Sequence, residues 1–159
     1  MHPGPRLIVH SGLNWKNMEW KANNQEIFVR LDPGERLVES LRDISGQAVF
    51  SAAAIVSGVG MLNGVELGFF DSSLDQYVHT TLDGIFDLSS VLGNITRRDA
   101  QYVPHVHIVF NDTRHVTWSG HLIEAQCHIT VEIFLSISAF ALKRVKLPGC
   151  PATRIVGAD

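Results

Sequence analysis

Residues Cys127, Ile129, Val131, Ile133 and Leu135 alternate with His128, Thr130 and Glu132. Period two sustained over this stretch predicts a half-buried antiparallel strand. Glu26–Leu31 (EIFVRL) predicts another strand, ended by Asp32-Pro33-Gly34 as a turn and helix start. Leu37, Leu41 and Ile44 then recur at helical spacing, with Arg36, Glu39, Arg42 and Asp43 between them. That stripe predicts one helix from Glu35 to about Ser45, stopped at Gly46. Everything afterwards reads as strand: Ala48–Val56, a break at Gly58-Val59-Gly60, then Val65–Phe70, Tyr77–Thr81, Gly84–Leu92, His105–Phe110 and Val116–Leu122. The glycines at 58, 60 and 64 lack dinucleotide-loop spacing and read as turns or close backbone approaches. One helix beside six to eight short strands predicts an α+β fold with a mostly antiparallel β-sheet. The domain is expected over residues 26–147, with 1–25 as an arm or cap and 148–159 as a loosely held tail.

A length of 159 residues fits one compact domain. With 45% hydrophobic and 18% charged residues, wholesale disorder is excluded. The formal charge of −3 opposes a protein that grips phosphate backbones, because that task needs a basic excess. No run approaches the ~18–20 apolar residues that span a bilayer, so no membrane association is expected. The start, MHPGPRLIVHSG, has no secretory apolar region. Cys127 and Cys150 form no CxxC pair, so a disulfide framework is not expected. The expectation is a soluble, cytoplasmic protein.

The chain carries 8 histidines. If residues 111–115 make a hairpin loop, Phe110 faces Val116, Ile108 faces Trp118 and Val106 faces Gly120. The other face pairs Val109 with Thr117, His107 with Ser119, and His105 with His121. Three imidazoles, His105, His107 and His121, then share one face and can converge. Neutral imidazole is the commonest protein ligand for zinc, and three with an open fourth position make a reactive site. Spacing alone leaves two other readings open: polar exterior residues, or a histidine that contacts ligand without a metal. His2, His10, His79, His115 and His128 read as surface or hydrogen-bonding residues. Asp87 and Glu132 are candidate catalytic carboxylates, as a partner fixing a histidine tautomer or as a general base. The plainer reading of each is an exposed or backbone-satisfied acid.

Several blocks, in order, resemble the plant and prokaryote conserved (PPC) domain. They are VRLDPGERLVESL, AAAIVSGVGMLNGVELGFFD, DGIFDLSSVLGNIT, PHVHIVF, SGHL and TVEIFL. PHVHIVF is similar to the family's His-x-His, and SGHL to its Gly-Gly-His-Leu. Ser119 stands for the first Gly of that motif, and Asp87 stands where Glu is usual. The resemblance implies an α+β domain that assembles as a homotrimer. Solitary prokaryotic members imply a metal held by the residues matching His105, His107 and His121, and the three imidazoles make a divalent metal, zinc first, the expectation there. The family's DNA-binding label comes with AT-hook members, and this chain has no Arg-Gly-Arg-Pro core. Its nearest basic run, Lys143-Arg144-Val145-Lys146, reads as solvated.

Three functions compete on this basis. The first is a homotrimeric, metal-dependent module acting on a small-molecule ligand. The second is a DNA-associated transcriptional regulator, for which nucleic-acid binding without a partner is opposed by the charge. The third is a trimerisation module that recruits partners through aromatics such as Trp15 and Trp20.

Overall fold

The computed structural model describes residues 8–9, 18–149 and 152–158. Its elements are β1 Ile8–Val9, β2 Glu19–Ala22, β3 Glu26–Leu31, α1 Leu37–Ala48, β4 Ala52–Asp71 and β5 Gln76–Arg98, then β6 Gln101–Asn111, β7 Thr117–Ile137, β8 Leu142–Lys146 and β9 Thr153–Gly157. The class is α+β, as expected. The pairing is antiparallel except where β5 meets β8 at Arg97 and Lys143. Among the described residues, no helix is long and apolar enough to cross a membrane. His2, His10, Trp15 and Cys150 lie outside the described residues.

Nine strands form among the described residues, and the seven short runs expected after the helix merge into four longer ones, β4 to β7. Glycines that read as breaks sit inside β4 and β5, at bulges rather than at chain reversals. Gly60 has φ +152°, and a Cβ there would overlap the Thr130 carbonyl. Beside it the pairing of β4 with β7 jumps from Gly60–Val131 to Leu62–Cys127. The residues left over on β7 interrupt its alternation, so Ile129 is turned out to solvent rather than into the core.

β4 and β6 each pair with both β5 and β7, so these four strands close on themselves. Their inward side chains, including Leu62, Leu88, Val91, Ile108, Phe110 and Ile133, form the buried core. β3 adds Ile27, Val29 and Leu31 to it by simple alternation. Trp20 of β2 joins the core too, so it is not the exposed contact residue expected from sequence.

The helix starts later and ends later than its sequence pattern indicated. Gly34, in a turn at φ +93°, and Glu35 are tied by hydrogen bonds to both backbone groups of Cys127. The helix therefore begins at Leu37, and its first N–H groups need an acceptor from elsewhere. Glu124 of β7 provides it, accepting from Val38 N–H at 2.8 Å and Glu39 N–H at 3.1 Å. At the other end the helix continues through Gly46 to Ala48. Val49 takes the left-handed capping position at φ 49°. This lets Phe50 pack on Tyr102, with ring centroids 5.2 Å apart. The Tyr102 hydroxyl then donates to the Phe50 carbonyl at 2.6 Å.

Both flanks carry strands as well. β2 pairs with β3, and β9 of the tail pairs with β8 along its whole length.

Candidate metal centre

His105 and His107 project from β6, and His121 from β7. The hairpin between these strands decides whether they meet. Its loop has the expected length but lies one residue later, at 112–116, because Asn111 pairs with Thr117. Asp112 sets that position. Its Oδ1 accepts from Arg114 N–H at 2.8 Å and Val116 N–H at 2.9 Å. The Val116 N–H, with the other donors on it, holds the Asp112 carboxyl below the usual carboxylate range. His115 closes the loop in the left-handed region at φ 61°.

The register is therefore corrected. His107, not His105, stands opposite His121, and Ser119 faces Val109. The slide equals two residues along one strand. Because side chains alternate with period two, no residue changes face. The three rings still converge, with centroids 5.0 Å apart for His105–His121 and 5.3 Å apart for His105–His107 and His107–His121. One ligand atom from each lies within 4.8 Å of the others. No hydrogen bond to a described residue occupies any of their ring nitrogens.

Burial pushes His105 down to about 4, with help from the positive charge of Arg144 and from its neighbours His121 and His107. Burial also lowers His121, followed by His107 and Arg144. Imidazoles held neutral in this way keep a lone pair available for a metal.

The rings border a cleft of about 550 Å³, whose other walls include Leu67, Phe70, Tyr77 and Trp118. Small residues make the room. A Cβ on Gly68, which pairs with His121, would lie 2.7 Å from the Ile123 side chain and 3.5 Å from the His121 ring. Gly120 is approached by the Leu67 side chain. Ser119 is exposed and lines the cleft.

Asp87 is exposed opposite Met61 and Asn111, and Glu132 is exposed opposite Arg30 and Val59. Neither borders the cleft. His79 bonds Glu66 at 2.7 Å on the surface.

Sequence reasoning missed Tyr77 and Arg144. The aromatic cluster Phe69-Phe70 and Tyr77, flanking one turn, was the available signal for the first. The Tyr77 ring lies 6.2 Å from that of His121. Arg144 is not solvated but buried, donating to Asn94 Oδ1 at 2.7 Å and Thr153 Oγ1 at 3.1 Å. Only the packing of β8 on β5 reveals it.

Comparison with known proteins places this geometry in context. A curated relative, the bifunctional protein GlmU of a Synechococcus strain, is 28% identical over 139 residues, which is 86% of this chain and 21% of that protein. The chain thus spans about a fifth of that relative's length. A candidate DNA-binding protein from Bacteroides thetaiotaomicron has a similar structure, with a TM-score of 0.83 at 19% identity, covering 88% of this chain and 97% of that one. A PPC protein from Pyrococcus horikoshii has a TM-score of 0.73 at 22% identity, covering 83% and 90%. A metal-containing protein from Archaeoglobus fulgidus has a TM-score of 0.70 at 25% identity, covering 84% and 93%. The profile of the Plants and Prokaryotes Conserved (PCC) domain, the PPC domain named above, matches residues 18–138. With its strand order, its helix and its His-x-His hairpin inside that span, the chain belongs to the PCC domain family.

Proposed function

We propose that this PCC-domain chain is a cytoplasmic, homotrimeric module that binds one divalent metal through His105, His107 and His121 and presents it to a small molecule in the adjoining cleft. The observation that carries the reading is the approach of three imidazole ligand atoms to within 4.8 Å of one another on two paired strands. The donor set fits: three imidazoles bordering a cleft, with no carboxylate hydrogen-bonded to their rings among the described residues. Zinc is the first choice because it favours histidine ligands with one open position, although imidazole also serves iron and nickel. A divalent metal there would supply Lewis-acid polarisation of a bound oxygen. Tyr77 and Trp118 give the cleft the aromatic walls of a small-molecule site. Asp87 and Glu132 lie outside it, so this reading assigns them no part in holding the metal. The name of the Archaeoglobus relative, a metal-containing protein, supports the same view.

The trimer is supported by half-exposed apolar side chains on the sheet, among them Val56, Val59, Ile129 and Phe134. An isolated subunit leaves these in water.

Metal analysis of protein purified without a His-tag or chelator tests the reading. About one metal per chain is expected in the wild type, with loss in His121→Ala. Fewer than about 0.2 per chain, unchanged by that substitution, would overturn it. Sedimentation equilibrium reads the trimer.

A second reading, a DNA-associated transcriptional regulator, is favoured by the naming of the Bacteroides protein. It is opposed by the net charge of −3. Binding to mixed-sequence duplex with a steep salt dependence would support it, and no binding at low salt would remove it.

A further inference from the structure

Strands β4 and β7 pair as far as Gly68 and His121 and no further. Both strands continue past that pair. β4 runs on to Asp71 beside β5, and β7 begins at Thr117 beside β6. The two hairpins therefore part at Gly68 and His121 and leave a fork. The cleft of about 550 Å³ occupies it, for Phe70 and Tyr77 line the cleft from one arm and Trp118 and Ser119 from the other. His107 stands opposite His121, so the three-imidazole site lies at the base of the fork.

The arms of the fork are aromatic and carry no formal charge. Among the described residues that line it, none is Asp, Glu, Lys or Arg. Besides the imidazoles, its polar side chains are the hydroxyls of Tyr77, Thr80 and Ser119. None of these hydroxyls has a hydrogen-bond partner among the described residues. Tyr77 packs on Phe70 with ring centroids 5.4 Å apart, and its ring lies 6.2 Å from that of His121. Trp118 is 40% exposed and meets no other aromatic ring among the described residues. An indole in that position offers a large apolar face to whatever enters the fork. A charged group entering would lose water and find no opposite charge on these walls.

We infer that the ligand of this fork has an uncharged aromatic body, held between the Phe70–Tyr77 arm and Trp118, with one oxygen donor directed at His105, His107 and His121. This rests on the metal-binding reading for the donor's anchor, whereas contact of the body with the walls needs no metal. The open hydroxyls suit neutral carbonyl, amide or hydroxyl substituents on that body. A polyphosphate or a polycarboxylate would meet no cation on these walls to receive it.

The test uses three hydroxamic acids that share one metal-binding head: acetohydroxamic, benzohydroxamic and para-carboxybenzohydroxamic acid. Each is titrated into the cobalt(II)-loaded protein and followed by cobalt absorption. The benzo compound is expected to bind about tenfold or more tightly than the aceto compound, and the added carboxylate should remove most of that gain. In Trp118→Ala the ratio of benzo to aceto affinity should fall about threefold or more. Because the ratio compares two ligands within one protein, a general loss of metal affinity cancels. Equal binding of the benzo and aceto compounds overturns the inference, as does a ratio unchanged by Trp118→Ala or a carboxylated compound that binds as tightly as the benzo one. If the variant does not fold or the wild type takes up no cobalt, benzamide is titrated into metal-free wild type, with acetamide as control, while the Trp118 indole N–H resonance is followed. Absence of cobalt uptake means that the metal reading has failed, and this titration then decides the aromatic body by itself. A saturable shift with benzamide and not with acetamide upholds it. An unmoved resonance overturns it, and so does one that moves only with protein concentration, which would assign the fork to a second copy of the chain.

Discussion

Gly93 lies against the carbonyl oxygen of His105, so closely that a Cβ at position 93 would overlap it. Gly93 also has φ +154°, a conformation that side chains resist. This glycine on β5 therefore fixes how near β6 can come, and with it where His105 stands. Gly93→Ala is expected to destabilise the fold by about 3 kcal/mol, from backbone strain and overlap together. It should also weaken metal binding, because His105 must move. Urea unfolding and a metal titration measure both. A variant within about 0.5 kcal/mol of the wild type would count against this account.

Glu124 reaches from β7 to the start of α1 and accepts from the N–H groups of Val38 and Glu39. No side chain at the helix's own N-cap does so. Glu124→Ala should cost about 1–2 kcal/mol, as loss of a capping group does. Glu124→Gln, which keeps one acceptor oxygen, should cost less. Thermal melts of the two variants give the order, and equal losses would argue that charge rather than geometry matters.

In metal-free protein, stability should fall with acid in a definite window. His105 titrates at 6.5 when unfolded and at about 4 when folded. Between those values the unfolded chain binds a proton that the folded chain refuses. The contribution is thus fully present above pH 6.5 and lost as pH falls through about 4. His121 is shifted in the same direction and adds to the slope. Urea midpoints taken with a chelator present at pH 7 and pH 5 check this. His105→Gln should show a shallower dependence over the same interval.

The Cys127 thiol is buried and donates weakly to the Leu31 carbonyl. Burial, then the charges of Glu35 and Asp32, push it up to about 11 from 9.0. In a Cys150→Ser background, iodoacetamide at pH 8 should modify it roughly 100-fold more slowly than in urea, from thiolate fraction alone. Mass spectrometry follows the adduct. Rapid labelling of the native protein would show that the strand pairing around Cys127 opens readily.

Much of the candidate site was legible because sheet chemistry has a period of two. His105, His107 and His121 share a face under the expected register and under the observed one, since the two differ by an even slide. Which of them stand opposite each other was not legible. That depended on Asp112 capturing two N–H groups of its own loop, a preference that competes with several other five-residue hairpins. Ile129 fits a continuous alternation equally well, and only the mismatch of β4 and β7 around Gly60 turns it outward.

By itself the sequence determined the local patterns: the apolar stripe of α1, the alternation of β3, and the polar face that carries three imidazoles. These follow from side-chain spacing and need no knowledge of neighbours. Only the tertiary structure decided that Glu124 caps the helix, that Gly68 and Gly93 make room around His121 and His105, and that Arg144 is buried beside them. Each joins residues at least a dozen positions apart, and a contact of that kind leaves no period in the chain. A lysine- and arginine-bearing strand looks solvated until another strand covers it, because burial belongs to the packed pair and not to either segment.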